Sequence, residues 1–176
     1  MKSIKYTFWI FALGTSFSTQ AQNTEHSKFW VSGGLGKANF LSAMVAGGYE
    51  PYNRNSVVIG RYSVSGELIP NVEPGIRVVE LGLLYGIKAG NFRFSAGLSN
   101  VWGNYRGQYL YTDPDPLMGT GRYYEFVKYN TIGIPAEIRY IAALKHVGIG
   151  VTAFGNLNQK HSFAGLNVSF YIGRMK

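Results

Sequence analysis

From residue 28 onward, apolar positions alternate with small or polar ones at a period of two. In 79–88, Val79, Leu81, Leu83, Tyr85 and Ile87 share one face, and Glu80, Gly82, Leu84, Gly86 and Lys88 share the other. In 92–102, Phe92, Phe94, Ala96, Leu98 and Trp102 oppose Arg93, Ser95, Gly97 and Ser99. The segment 131–140 sets Ile132, Ile134, Ala136, Ile138 and Tyr140 against Thr131, Gly133, Pro135, Glu137 and Arg139. Segments 146–154, 164–173, 28–36 and 41–50 alternate in the same way. Successive side chains of a strand point to opposite faces, so each segment predicts a β-strand. Residues 56–64 predict an eighth strand, but the alternation there leaves the face of Val57 and Ile59 open. Between residue 22 and the end of the sequence no apolar run is long enough for a transmembrane helix, which needs about 20 residues.

Connections between these segments come in two kinds. Tight ones fall at 51–55, 88–91 and 143–146. The opposite set falls at 36–39, 65–77, 104–123 and 155–162 and is mostly longer. The long members hold Pro70, Pro74, Pro114 and Pro116 with Asp113 and Asp115, the chemistry of surface turns. Short and long connections alternate along the chain, as they do when consecutive antiparallel strands return to the same two ends.

The less apolar face separates a membrane barrel from a soluble sandwich. A sandwich turns apolar faces inward and charged faces to water. Here that face is mostly Gly, Ser and Thr with a few charges, which suits the interior of a narrow closed barrel, where eight strands leave room only for side chains. The apolar face then meets lipid, and closure satisfies every backbone group. Aromatic residues predict two interfacial belts. Phe29, Trp30, Tyr49, Tyr52, Phe92, Tyr140 and Tyr171 fall at the short-turn ends, and Trp102, Tyr105, Tyr123, Tyr124, Phe126, Phe154 and Phe163 at the loop ends. Pro135 lacks a ladder donor and predicts a bulge.

Composition adds location. The 176 residues include no cysteine, so an exported chain must find its stability in a core, a closed sheet or a bilayer rather than in disulfides. Export is expected because residues 1–22 carry Lys2 and Lys5, an apolar stretch from Tyr6 to Phe17, and small residues Thr19 and Ala21 before a cleavage point. The predicted division is therefore a signal peptide over 1–21 and one barrel domain over 22–176. Cleavage removes two lysines from the net charge of +8. The remaining basic surplus is spread over turns and loops. It points to anionic lipopolysaccharide as a contact and shows no nucleic-acid stripe.

With this signal, eight alternating strands, the closing segment 163–173 and the run Ile134-Pro135-Ala136-Glu137-Ile138-Arg139-Tyr140, the chain resembles the small outer-membrane β-barrel proteins of Gram-negative bacteria, of the OmpA/OmpX type and the porin-like barrel domains. The resemblance covers the whole mature chain. It implies an all-β, eight-stranded antiparallel up-and-down transmembrane barrel in the cell outer membrane, inserted by the barrel-assembly machinery. Many members end on an aromatic residue that this machinery reads; here the sequence ends Gly173-Arg174-Met175-Lys176.

The expected function is a monomeric integral barrel with structural, adhesive or ligand-contacting roles. Its inward charges Glu80, Lys88, Arg93, Glu137 and Arg139 are read as a paired network that plugs the lumen, with Arg61 joining if strand 56–64 has the right parity. The loop 104–123 is the expected binding segment, through Tyr105, Tyr109, Tyr111, Asp113 and Asp115. Competing functions are a lipid-modifying enzyme, a narrow pore and a soluble lipocalin-like barrel. His161 and Ser162 are the only foothold for an enzyme, and adjacent strand residues face opposite ways. No catalytic residue, cofactor or metal set is therefore expected; His26, His146 and His161 lack ligand spacing.

Overall fold

The computed structural model describes residues 27–116 and 119–175. The signal peptide expected over 1–21 lies outside them. Eight strands follow one another: β1 (Lys28–Lys37), β2 (Leu41–Glu50), β3 (Ser56–Gly66), β4 (Arg77–Ala89), β5 (Phe92–Thr112), β6 (Arg122–Ala143), β7 (Val147–Asn158) and β8 (Phe163–Arg174). Each pairs antiparallel with the next, and β1 pairs with β8, which closes the barrel.

The period-two pattern survives as a burial pattern. Leu81, Leu83, Ile132, Ile134, Ile138, Val168 and Ile172 point out and are exposed, while Glu80, Arg93, Glu137 and Arg139 point in and are buried. Strand β3 takes the parity the sequence left open. Val57, Ile59, Arg61 and Ser63 face the lumen, and Val58 and Tyr62 face out.

Four expectations need correction. First, residues 104–123 are not mainly a loop. Strands β5 and β6 run on as a hairpin beyond the wall, β5 to Thr112 and β6 from Arg122. Second, Trp30, Phe154 and Tyr171 do not join the belts. All three face the lumen and are buried, because they share the parity of its polar residues and have cations to cover. Third, the lumen is not uniformly small and polar. At the short-turn end Trp30, Val57, Ile59, Leu84, Ile141, Tyr171 and Met175 form an apolar cluster.

Fourth, Pro135 causes no bulge. Partners run Ala96↔Ala136 and then Ser99↔Gly133, the same register on both sides, and on the other edge Pro135 pairs in step with Asn156. The proline costs ladder bonds without an extra residue. Register slips instead between Arg106 and Tyr109 and again between Tyr109 and Tyr111, above the wall. There a slip does not turn an apolar face into the lumen, the penalty that fixes register elsewhere.

Candidate functional site: the charged lumen and the braced hairpin

Strands β3, β4, β5, β6 and β7 aim the central charges at one another. Glu80 and Glu137 come from β4 and β6, and Arg61 from β3 lies between them. Its Nη2 donates to Glu80 Oε1 at 2.7 Å and its Nη1 to Glu137 Oε2 at 2.9 Å. Arg139 reaches back on its own strand: Nη2 donates to Glu137 Oε2 at 2.9 Å, and Nε donates to Glu137 Oε1. All four ionic side chains have no solvent exposure.

Neutral groups satisfy the remaining acceptors. Asn156 Nδ2 donates to Glu80 Oε1 and also bonds Ser99 Oγ; Ser63 Oγ donates to Glu80 Oε2 and Ser95 Oγ to Glu137 Oε1. Two arginines face two glutamates, so the cluster is neutral overall. Buried charge is tolerated where it is paired and hydrogen-bonded.

Aromatic rings cap the two guanidinium groups from above and below. The Phe154 ring lies 5.6 Å from Arg61 Cζ, toward the loop end. The Trp30 ring lies 5.4 Å from Arg139 Cζ, and the Tyr171 hydroxyl accepts from Arg139 Nη1 at 3.3 Å. Trp30 needs a notch in the facing strand. A Cβ on Gly48 would collide with the indole ring, so a residue without a side chain stands there.

Arg93 and Lys88 are not part of this cluster. The expected network counted both with Glu80, Glu137 and Arg139, but both cations lie at the short-turn mouth and meet Glu50. Arg93 Nε donates to Glu50 Oε1 at 3.0 Å, and Lys88 Nζ lies 2.9 Å from Oε2. Trp30 Nε1 donates to Glu50 Oε1 at 3.2 Å and so joins the mouth to the apolar cluster. Sequence reasoning missed Glu50, although its parity on β2 already turned it inward. It also missed Asn156, whose amide reads as an ordinary polar lumen residue.

The hairpin residues do not converge on one site. Tyr105 stays at the rim, 4.8 Å from the His161 ring and 6.1 Å from Tyr129. Tyr109 packs edge-on to Tyr124, and Tyr111 stacks on Tyr123 at 4.7 Å. Asp113 Oδ1 accepts from the amide of Asp115, a turn-forming bond at the tip.

Arg106, which no sequence pattern singles out, braces this region. Its Nη2 donates to Glu67 Oε2 at 2.5 Å and to the Val72 carbonyl at 2.7 Å, and its Nε to the Pro74 carbonyl at 3.0 Å. The β3–β4 loop is thereby tied to the hairpin. Glu73 extends the tie by pairing with Tyr123: its amide donates to the Arg122 carbonyl and its carbonyl accepts from the Tyr124 amide.

His161 and Ser162 serve the β7–β8 turn. The imidazole packs against Tyr105 and Tyr129, while Ser162 Oγ donates to the Asn158 carbonyl at 3.0 Å. Among the described residues no group of three or more His, Cys, Asp or Glu could hold a metal ion.

No protein-family model matches the chain, and no curated protein matches its sequence. Solved structures do. The chain is similar to the N-terminal β-barrel domain of Pseudomonas aeruginosa OprF, with a TM-score of 0.51 at 7% identity over 84% of this chain and 98% of that one. It is also similar to Neisserial surface protein A, with a TM-score of 0.47 at 12% identity over 83% and 96% of the two chains. The Yersinia pestis outer membrane protein Ail gives a TM-score of 0.46 at 8% identity over 84% and 99%. The fold is the closed eight-stranded antiparallel barrel of small outer-membrane proteins.

Proposed function

We propose that this chain is an integral outer-membrane barrel whose lumen is closed by its own ion pairs and whose work is done by the braced hairpin outside. One observation carries this reading: the polarity of the wall is inverted relative to a water-soluble barrel. Leucine, isoleucine and valine cover the outside, and four ionised side chains without solvent exposure fill the middle. A lipocalin-like carrier needs the opposite arrangement. The apolar exterior supports residence in lipid, and continuous pairing around the barrel leaves no unpaired strand edge within it.

A closed lumen fits the cross-section better than a pore. Arg61 spans from Glu80 to Glu137, and Phe154, Trp30 and Tyr171 fill the space on either side. An acyl-transfer enzyme has less support, because Ser162 Oγ and the His161 ring are engaged with different partners. The hairpin suits a contact role with another surface. It carries exposed Tyr109 and Tyr111, and Arg106 holds the neighbouring loop against it.

Three measurements on one preparation test this. The protein should require detergent for extraction and should migrate differently on gels before and after boiling. In planar bilayers it should give no discrete conductance steps. Recovery in the aqueous fraction without detergent would overturn the membrane reading, and a steady single-channel step that changes with Glu137→Gln would overturn closure.

A further inference from the structure

The outward wall carries one more built feature, near the loop end of β4, β5 and β6. A groove of about 380 Å³ runs there over Val79 and Trp102, with Tyr62 and Phe126 beside it. Arg77 and Lys128 line the same groove. Both pair across the ladder with the same residue, Asn104 on β5. Their Cα atoms are thus two strand spacings apart, about 10 Å.

Three features separate this place from ordinary exposed wall. Val79 points outward, yet is only 5% exposed, whereas Leu81 and Leu83 on the same face are more than half exposed. The groove therefore has a floor. Arg77 and Lys128 are exposed and make no ion pair among the described residues; Lys128 Nζ instead sits 5.7 Å from the centre of the Phe126 ring. No carboxylate lines the groove, and the nearby Glu67 is held by Arg106. Two unpaired cations thus stand over an aromatic and aliphatic trough, at the height where the apolar band ends.

We infer that this groove holds one phosphorylated lipid of the outer leaflet, of the lipid A class. The phosphoryl group lies between Arg77 and Lys128, and an acyl chain runs down over Val79 and Trp102. Arginine matches phosphate oxygens with parallel N–H donors, and lysine adds a point charge. Interfacial cations and aromatic rings both favour this level of a bilayer. The inference rests on the membrane reading above and adds a ligand and its location to it.

Native mass spectrometry of the detergent-purified, heat-modifiable protein, titrated with diphosphorylated lipid A, tests the groove. A first adduct should form and saturate. Arg77→Gln with Lys128→Gln should raise the half-saturating concentration about tenfold or more, the scale of losing a charge-assisted contact. Lys37→Gln with Lys160→Gln, two exposed lysines at the same end, should change it less than about twofold. Dephosphorylated lipid A should bind the unaltered protein as weakly as lipid A binds the Arg77/Lys128 variant.

Equal losses from both variant pairs, binding that ignores the phosphoryl groups, or no saturable adduct would each overturn the groove. A protein that stays soluble without detergent overturns the membrane reading and the groove together. A detergent-dependent, heat-modifiable barrel with no selective adduct overturns the groove alone.

Discussion

Strands β5 and β6 behave as two different structures joined at Arg106. From Phe92 to Arg106 they hold one register against each other, and inward and outward residues alternate in burial along most of that length. Beyond Arg106 the register slips twice, and from Gln108 to Thr112 every residue of β5 is exposed. The backbone pairing is the same kind in both parts. What differs is the surroundings. In the wall, a one-residue slip would carry Arg93 and Ser95 to the apolar side and Phe94 into the ion cluster. In the hairpin both faces see similar surroundings, and Tyr–Tyr contacts accept several registers. Specificity in the wall comes from the cost of the wrong face; shape in the hairpin comes from local ties such as Arg106.

This contrast predicts unequal sensitivity. The largest effect should come from Glu137→Ala, which leaves Arg61 short of a partner and Arg139 without its carboxylate. Breaking one side of a buried ionic network costs about 3–5 kcal/mol. Urea unfolding of the folded protein in lipid vesicles should show it, and replacing Glu137 and Arg139 together by Leu and Met should recover much of the loss. A single-variant loss below about 1 kcal/mol would mean that the network is not stabilising the barrel.

A middle effect is expected at Gly48→Leu. The new side chain enters the space of the Trp30 ring, and overpacking of a filled interior costs about 1–3 kcal/mol. The same unfolding measurement should show partial recovery when Trp30→Ala is added. If the two losses simply add, the notch is not what makes glycine necessary.

The smallest effect on global stability should come from Arg106→Ala, within about 0.5 kcal/mol, because the wall does not depend on the brace. Its signature is local. Limited proteolysis of the folded protein should cut between 67 and 76 much faster than in the unaltered chain, while the barrel stays intact. Loss of the heat-modifiable band with this variant would show that hairpin and wall are one cooperative unit after all.

Much of the wall was legible in the sequence, for a physical reason. Each strand separates an apolar exterior from a charged lumen, so Leu81 and Glu80 cannot exchange places without a large penalty, and that penalty is written as alternation. The same rule already contained the positions of Trp30, Phe154 and Tyr171. Aromatic chemistry suggested a belt, while parity pointed inward, and parity governs within a barrel. Ion-pair partners were less legible. A shared inward face put Glu80 and Arg93 in one network, but height along the axis separates them: Arg93 lies near the start of β5 at one mouth, and Glu80 lies toward the middle. Arg61 could be placed only once β3 had a face. The Arg106 brace depends on carbonyls of 72 and 74, which no side-chain pattern encodes.

The ladder between β1 and β8 joins the earliest strand to the latest, and it alone has no turn linking its two members. Three of the ten residues of β1, Gly33, Gly34 and Gly36, bring no side chain to that seam. Until the two meet, a growing chain exposes a pair of unsatisfied edges, each able to recruit a foreign strand. Since this pairing spans nearly the whole sequence, it is the slowest kind of contact to form by chance. On the membrane reading proposed above, both edges need shelter until they meet, a demand set by connectivity and invisible in the finished cylinder.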